Sequence, residues 1–203
     1  MILVPIDTPG VTVVRSMPVF SYVSAHGECE VLFRDVRVPT QNLLGTEGGG
    51  FAVAQARLGP GRIHHCMRAV GMGDRAVELM CRRARTRIVA GGPLSEKQMV
   101  QDMIATSRIE VNAARLMVLH AAWKMDTAGK KAAWPDISMS KVLCAQMACR
   151  VVDRAIQVHG ALGVTDDAPL AAMYRYARIL RLGDGADEVH KVKISEHEVK
   201  QWA

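Results

Sequence analysis

One carboxylate in this sequence lies between two glycines, in a setting that suits proton transfer. The segment Leu-Gly-Asp-Gly-Ala-Asp-Glu-Val-His, residues 182–190, places Asp184 directly between Gly183 and Gly185. Glycine adopts backbone conformations that are closed to other residues and lets a ligand approach the main chain closely. A carboxylate at such a tight turn has the placement that a general base needs at the mouth of a pocket.

The two carboxylates that follow have a simpler interpretation. Asp187 and Glu188 suit the positive end of a helix that begins near Ala186. An acidic helix N-terminus would by itself explain the whole segment, so both interpretations stay open on these residues alone. Because we interpret Asp187 as a capping residue, we predict that its substitution has little effect on any chemistry at this turn.

Two other pairs of residues have spacings that could indicate sites. Arg87 and Gln98 bracket a glycine-rich break, but a surface arginine and a helix-capping glutamine give the same pattern. His64 and His65 superficially resemble a metal pair, yet adjacent helical residues point about 100° apart and no carboxylate or cysteine lies at ligand spacing. We therefore predict no metal site and place both histidines in the core or on the surface.

Helices must position most of these residues. Helical periodicity from residue 51 onward predicts helices at about 51–88, 96–128, 137–158, 169–181 and 187–200. We predict a bend in the first at Pro60 and an N-cap at Ser95 for the second. The second helix also carries a predicted buried face, made of Met99, Met103, Ile104, Ile109, Leu116, Leu119 and Trp123. Long helices with short connections predict an up-and-down bundle, with Asp184 between the last two helices.

Residues 1–45 carry strand signals instead. Short β-favouring runs occur at 2–4, 11–14 and 30–33, separated by proline and glycine. Three such strands would be marginal alone, so we expect them to complete a sheet whose other strands are missing or come from another chain. The glycine-rich stretch at 45–50 marks a predicted boundary between a partial β-domain (1–45) and a helical bundle domain (46–203). The first residues of the chain are typical of the middle of a strand, so we expect the chain to be a fragment of a longer protein.

Composition limits the class of protein. The sequence has 203 residues, of which 4% are aromatic and 12 are methionine, a mixture that favours helix over sheet. Its net charge of +6 is scattered along helices, which argues against nucleic-acid binding and suits phosphate-bearing ligands. The five cysteines lack a Cys-x-x-Cys spacing and are predicted to be reduced core residues of a soluble intracellular protein without a transmembrane segment.

Several motifs, taken in order, resemble the carboxyl-terminal half of an acyl-CoA dehydrogenase, a flavoprotein family. They are Phe33-Arg34-Asp35-Val36-Arg37-Val38-Pro39, Arg62 after Gly-Pro-Gly, Arg87 with Gln98, Gln157-Val158-His159-Gly160-Ala161-Leu162-Gly163, and Arg175 nine residues before Asp184. The forms Gly-Pro-Gly-Arg-Ile-His-His-Cys-Met-Arg and Asp-Gly-x-Asp-Glu-Val-His most resemble the branch of family members ten and eleven.

This resemblance implies which residue is the catalytic base and which residues lie next to the substrate. In the family, a carboxylate removes the α-proton of a fatty acyl-CoA thioester while the flavin accepts the β-hydride. The resemblance places the base at Asp184, where most members have glutamate, and places Arg62 and Gly185 on the substrate or CoA side. A structural salt bridge would explain Arg62 equally well. Some relatives carry the base just before the helix arginine, but that position is Gly61 here and cannot serve.

The resemblance also implies FAD as the cofactor. It assigns the flavin contacts to Arg87, Gln98, Gln157, Gly160, Ala161 and Ala186. In the family the first three reach the flavin of a neighbouring subunit, so we expect a homodimer or homotetramer. Ala161 replaces a more usual glycine and Ala186 a common threonine, and each change removes a potential flavin contact.

The predicted function is therefore FAD-dependent α,β-dehydrogenation of an acyl-CoA in fatty acid metabolism. Electrons would pass to an electron-transfer flavoprotein or a similar acceptor. The alternative is a truncated or degenerate family member whose helical bundle acts as a non-catalytic oligomerisation module. The expected location is cytoplasmic in a bacterium and mitochondrial or peroxisomal in a eukaryote.

Overall fold

The computed structural model describes residues 1–23 and 27–202. Its helices are α1 (Gly50–Thr86), α2 (Gln98–His159), α3 (Leu170–Leu180) and α4 (Asp187–Gln201). Its strands are β1 (Val11–Ser16), β2 (Cys29–Phe33), β3 (Ile88–Val89) and β4 (Gly92–Pro93), and 3-10 turns occur at Thr40–Asn42, Leu94–Glu96 and Gly160–Val164. The chain divides into two compact units, Met1–Arg57 and Leu58–Ala203.

The first unit contains a two-stranded antiparallel ribbon. In this ribbon β1 pairs with β2, with Val11 opposite Phe33 and an irregularity between Val13 and Arg15. The strand predicted at 2–4 is wrong, since only Ile2 forms an isolated bridge, to Leu43. Proline follows this short run at position 5 and has no N–H to continue a ladder.

The second unit is an antiparallel helical bundle, and it confirms the predicted fold class. Helix α2 reverses direction at Gly129, whose φ of 81° and ψ of 164° are not helical. The two halves of α2 then pack side by side, as the hydrogen bond from Lys124 Nζ to Asp136 Oδ2 at 2.7 Å and that from Arg154 to Glu110 at 3.1 Å show. The connection predicted over 129–136 is wrong, because one glycine at positive φ makes the reversal and helix resumes directly after it.

Helix α1 packs antiparallel to the first half of α2, and a glycine sets their separation. A Cβ atom at Gly73 would lie 2.8 Å from a methyl carbon of Val111 and 3.0 Å from the sulfur of Met147. Glycine here therefore allows a close approach between α1 and both halves of α2. Small and β-branched residues fill the core around it: Cys66, Ala69, Val70, Ala76, Val77, Ala114, Val118, Ala145, Ala148, Val151 and Val152.

The connection between α1 and α2 is a hairpin rather than a simple break. Helix α1 ends at Thr86, and the pair β3–β4 surrounds Ala90 and Gly91, which have φ values of 49° and 81°. The predicted cap at Ser95 is wrong, because Ser95 lies in a 3-10 turn and Lys97 is the residue that precedes α2. Ser95 takes part through its carbonyl oxygen, which accepts a hydrogen bond from Gln101 at 3.0 Å.

The apolar face predicted to be buried on α2 points largely outward. Ile109, Leu116 and Trp123 are 68%, 68% and 60% exposed, and Met99 and Leu119 are exposed as well. Only Met103 and Ile104 pack against the core. The buried face of this half consists of smaller residues, Ser107, Val111, Ala114, Val118 and Ala121. The helix thus carries two apolar stripes, and close packing against α1 selects the stripe with the smaller side chains.

Two more expectations concern the burial of the cysteines and the absence of a transmembrane helix. Cys29 is exposed, so the prediction that all five cysteines lie in the core is wrong for this residue, whereas Cys66 and Cys144 are buried. Within the described ranges, none of the helices is long and apolar enough to cross a membrane.

Candidate active site

Asp184 lies in the short connection between α3 and α4, in a left-handed backbone conformation. Its φ is 55°, and the following Gly185 has a φ of 107°. Positive φ is uncommon for residues other than glycine, although aspartate is enriched among them, and such conformations cluster at functional sites. A Cβ atom at Gly185 would also lie 2.9 Å from Nε2 of His190, so both conformation and space require glycine there.

Two cationic side chains hold the backbone of this loop. Arg62 Nε donates a hydrogen bond to the carbonyl oxygen of Asp184 at 2.9 Å. Lys141 Nζ donates to the carbonyl oxygens of Leu180 and Gly185, so it joins the end of α3 to the loop. Lys141 is only 1% exposed, and this burial lowers the pKa of its ammonium group below the ordinary lysine value.

The Asp184 carboxylate faces α1. Its Oδ2 lies 3.1 Å from His65 Nε2, and both side chains are partly exposed. A Cβ atom at Gly61 would lie 3.7 Å from the same oxygen. The position where some relatives carry their base therefore adjoins the Asp184 carboxylate.

Asp187 is more than a helix cap. It begins α4 as predicted, but it is 1% exposed and accepts hydrogen bonds from Arg181 Nε at 2.8 Å and Gln146 Nε2 at 3.0 Å. The interpretation as a simple capping carboxylate is therefore wrong, because the bundle buries this group and pairs it. Glu188 is exposed in the same first turn. Ala186 occupies the N-cap position without a side-chain hydrogen bond.

A buried histidine lies beneath the loop. His190 is 4% exposed, and its Nδ1 lies 3.2 Å from the Ser138 hydroxyl oxygen. Its Nε2, the atom next to Gly185, has no hydrogen-bond partner among the residues that the structure describes. Burial lowers the pKa of His190 below the ordinary value of 6.5, which favours the neutral ring.

A second site is a groove of about 340 Å³ between the β3–β4 hairpin and the end of α2. It brings together four of the predicted cofactor residues, Arg87, Gln157, Gly160 and Ala161. Gly160 has a φ of 65° and open space where a Cβ would be, so a ligand can approach the backbone there. Gln98 and Ala186 do not line this groove; Gln98 is exposed at the start of α2, and Ala186 lies in the Asp184 connection.

The groove has the chemistry of an anion site. Arg83 lines it together with Arg87, and in the described part of the chain the buried Nε of Arg83 has no hydrogen-bond partner. Guanidinium groups of this kind suit phosphate oxygens, which accept forked hydrogen bonds. The residues present therefore fit the pyrophosphate of a dinucleotide. In the described ranges, no three His, Cys, Asp or Glu side chains are arranged to hold a metal ion.

Three residues of these sites, His65, Arg83 and Lys141, were not among the functional residues predicted from the sequence. His65 had a usable signal, because it follows Arg62 by three positions on α1 and such residues share a helix face. Arg83 had the same kind of signal, since it lies four positions before Arg87. Lys141 had no comparable signal in the sequence, because a lysine within an apolar helix is ordinarily interpreted as exposed.

Comparison with known proteins agrees with this architecture. The family model described as acyl-CoA dehydrogenase, C-terminal domain, matches residues 48–198. The chain is 55% identical over 201 residues to the "Probable acyl-CoA dehydrogenase FadE2" of Mycobacterium tuberculosis, covering 99% of this chain and 49% of that protein. It is 50% identical over 205 residues to acyl-CoA dehydrogenase family member 11 of Rattus norvegicus, covering 100% of this chain and 26% of that protein.

Solved structures show the same relationship. The butyryl-CoA dehydrogenase of Megasphaera elsdenii matches with a TM-score of 0.85 and 28% identity, over 98% of this chain and 51% of that one. The chain thus spans about half the length of the bacterial relatives and about a quarter of the rat protein. Together these matches show that the chain belongs to the acyl-CoA dehydrogenase family and contains its carboxyl-terminal helical domain.

Proposed function

We propose that the protein containing this chain is an FAD-dependent acyl-CoA dehydrogenase that oxidises a CH–CH bond, with Asp184 as the base. The observation that carries the proposal is the Asp184 loop. A carboxylate at positive φ, followed by an obligatory glycine and fixed through its carbonyl oxygen by Arg62, is a positioned group rather than a chance surface residue.

The proposed chemistry begins with proton removal. The Asp184 carboxylate accepts the α-proton of an acyl-CoA thioester, which requires hydrogen-bond reach between the base and that carbon. Aspartate is one methylene shorter than glutamate, so the backbone must present it closer to the substrate. Arg62 and Lys141 hold that backbone, and we place Arg62 and Gly185 on the substrate side of the site.

The proposed cofactor site is the groove at the hairpin. Arg87, Gln157, Gly160 and Ala161 would hold FAD, with Arg83 as an additional phosphate ligand. Gln98 and Ala186 remain proposed flavin contacts outside this groove. Bound FAD supplies the acceptor for the β-hydride. The electrons would leave through an electron-transfer flavoprotein or a similar acceptor.

We also propose that the protein is a homodimer or homotetramer. Ile109, Leu116 and Trp123 are exposed and follow one another at intervals of seven residues, so they form one stripe on the first half of α2. Exposed apolar stripes of this kind mark helix contacts between subunits. A second copy of the chain is the proposed occupant because closed homo-oligomers are the commonest assemblies.

The test uses the full-length protein. Purified protein should carry an absorbance band at about 450 nm from bound flavin, and anaerobic addition of a saturated acyl-CoA should bleach it. The Asp184→Asn variant should keep the band and bind acyl-CoA but bleach far more slowly. Colourless protein that neither takes up added FAD nor binds acyl-CoA would contradict the proposal and support the non-catalytic oligomerisation module instead.

A further inference from the structure

His65 is the side chain that contacts the Asp184 carboxylate from α1. Its Nε2 lies 3.1 Å from Asp184 Oδ2, a close contact between a ring nitrogen and a carboxylate oxygen. Its Nδ1 is buried and, within the described residues, has no hydrogen-bond partner. The neighbouring His64 is exposed, so the two adjacent histidines have different surroundings.

The other groups that hold the loop act on its backbone. Arg62 bonds the carbonyl oxygen of Asp184, and Lys141 bonds that of Gly185. These bonds leave the terminal torsion of the aspartate to be set by something else, because that torsion is broad and roughly two-fold. Gly61 of α1 lies next to Oδ2, where a Cβ atom would be 3.7 Å from that oxygen. Because glycine has no side chain, Gly61 offers no polar side-chain atom to the carboxylate. Among the residues that the structure describes, His65 contacts Oδ2 at 3.1 Å and can therefore orient the carboxylate.

We propose that His65 is a positioning residue for the base, a role that rests on the proposed function. Its imidazole contacts Oδ2 through Nε2 and restricts the rotation of the carboxylate, so that Oδ1 faces the substrate. His65 does not touch the reacting carbon and gives up no proton. A misplacement of about 1 Å at a reacting group can cost about 100-fold in rate, so a single orienting contact is sufficient to matter.

The surroundings of His65 favour the tautomer that this role requires. The groups that face it are Asp184 from the loop, Lys141 and Cys144 from α2, and His64, Cys66 and Arg68 from its own helix. Burial lowers its pKa, the Asp184 carboxylate raises it in part, and the cationic neighbours lower it again. The neutral ring carries one proton, and Nε2 holds it because Nε2 faces an acceptor whereas Nδ1 faces none.

This arrangement has a consequence for pH dependence. Above the His65 pKa, a neutral donor orients the carboxylate without strongly opposing its protonation. Below that pKa, the imidazolium would form an ion pair with Asp184, and this attraction would be lost whenever the carboxylate accepts the α-proton, so proton removal becomes less favourable. Turnover should therefore decline on the acid side as His65 takes up a proton.

The kinetic experiment compares substitutions in the full, flavin-loaded protein. His65→Leu removes the donor and should lower kcat about tenfold or more with little change in KM. His65→Gln keeps an N–H near the position of Nε2, so it should recover most of kcat and move the acid limb of the pH profile to lower pH, because no imidazole is left there to take up a proton. His64→Gln is the matched control and should leave kcat unchanged. An unchanged kcat in His65→Leu, with the acid limb intact, would overturn the proposal.

A second measurement does not depend on dehydrogenase activity. Deuterium exchange at the imidazole carbon between the ring nitrogens, followed by mass spectrometry, gives the pKa of individual histidines, and fragment ions separate His64 from His65. Asp184→Asn should lower the pKa of His65, because the carboxylate that favours the charged ring is gone. The exchange of His64 should not change. If the pKa of His65 were the same in both proteins, the contact would be absent in solution and the proposal wrong, whether or not the enzyme is active.

Discussion

Arg62 and Asp184 are 122 positions apart in the sequence, yet Arg62 Nε donates a hydrogen bond to the Asp184 carbonyl oxygen at 2.9 Å. This bond connects α1 to the loop between α3 and α4. It fixes the backbone of a residue that already has an unfavourable φ of 55°. The arginine that the family resemblance places on the substrate side is thus also a support of the proposed base.

Substitution of Arg62 by lysine should therefore impair the base without removing the positive charge. A lysine ammonium does not reproduce the planar geometry of the guanidinium N–H groups. We expect Arg62→Lys to lower kcat by about tenfold or more, measured in steady-state assays of the flavin-loaded protein. Arg82→Lys, on the exposed side of the same helix, is the control and should leave kcat unchanged.

Asp184→Asn should remove the base and keep the shape of the side chain. We expect turnover to fall by about 100-fold or more while flavin and acyl-CoA binding remain, because an amide cannot accept the proton. Glu188→Gln, four residues later and exposed, is the matched control. Equal activity of the two variants would mean that the base lies elsewhere.

Asp187 cannot serve as that control, because the structure buries it against Arg181 and Gln146. Removing its charge leaves both partners in need of another acceptor, so its variants are expected to lose stability for reasons unrelated to proton transfer.

Lys141→Met should destabilise the fold, because two carbonyl oxygens lose their donor. A buried unsatisfied polar group costs about 1–3 kcal/mol, so the loss at both Leu180 and Gly185 should lower the free energy of unfolding by about 2–6 kcal/mol. Urea denaturation measures this change. Lys193→Met, on the exposed face of α4, should shift the midpoint very little. A Lys141→Met midpoint equal to that of the native protein would show that the lysine does not support the loop.

The stability of the protein should fall as the pH decreases from about 7 to about 5. His65 and His190 both have pKa values lowered by burial, so the unfolded chain binds protons at a higher pH than the folded one. Their contribution to stability is full above the ordinary histidine value of 6.5 and is lost as the pH falls through the folded pKa values.

Denaturant unfolding at several pH values tests this dependence. His190→Asn should flatten the pH dependence over that range, whereas substitution of the exposed His197 by asparagine should leave it unaltered. If the free energy of unfolding changed with pH equally in His190→Asn and in the native protein, His190 would not contribute to the pH dependence.

Leu116→Asp should dissociate the proposed oligomer. Leu116 lies at the centre of the exposed stripe with Ile109 and Trp123, and a carboxylate there would be buried unpaired in a subunit contact. Light scattering at micromolar concentration should show the native protein as a dimer or tetramer and the variant as a smaller species. Val199→Asp, at another exposed apolar position on α4, should not dissociate it. A monomeric native protein would contradict the oligomer itself.

Local patterns in the sequence determined most of the secondary structure and the location of the base loop. Helical periodicity is encoded over a few turns, and it correctly placed α1, α3 and α4 to within a few residues. The glycines around Asp184 indicated a special backbone turn, and the structure has positive φ at Asp184 and Gly185. Both features depend on neighbouring residues alone, which is why the sequence was enough.

Tertiary packing decided what local patterns leave open. Helix α2 has two apolar stripes, and packing in the bundle, where Val111 lies next to Gly73 of α1, buries Val111 and leaves Leu116 exposed. Lys141 can be buried because the carbonyl oxygens of Leu180 and Gly185, at the end of α3 and in the loop after it, accept hydrogen bonds from its ammonium group. The contact between His65 and Asp184 likewise forms only after the bundle brings α1 against the last connection, because long-range partners are fixed by packing and not by spacing.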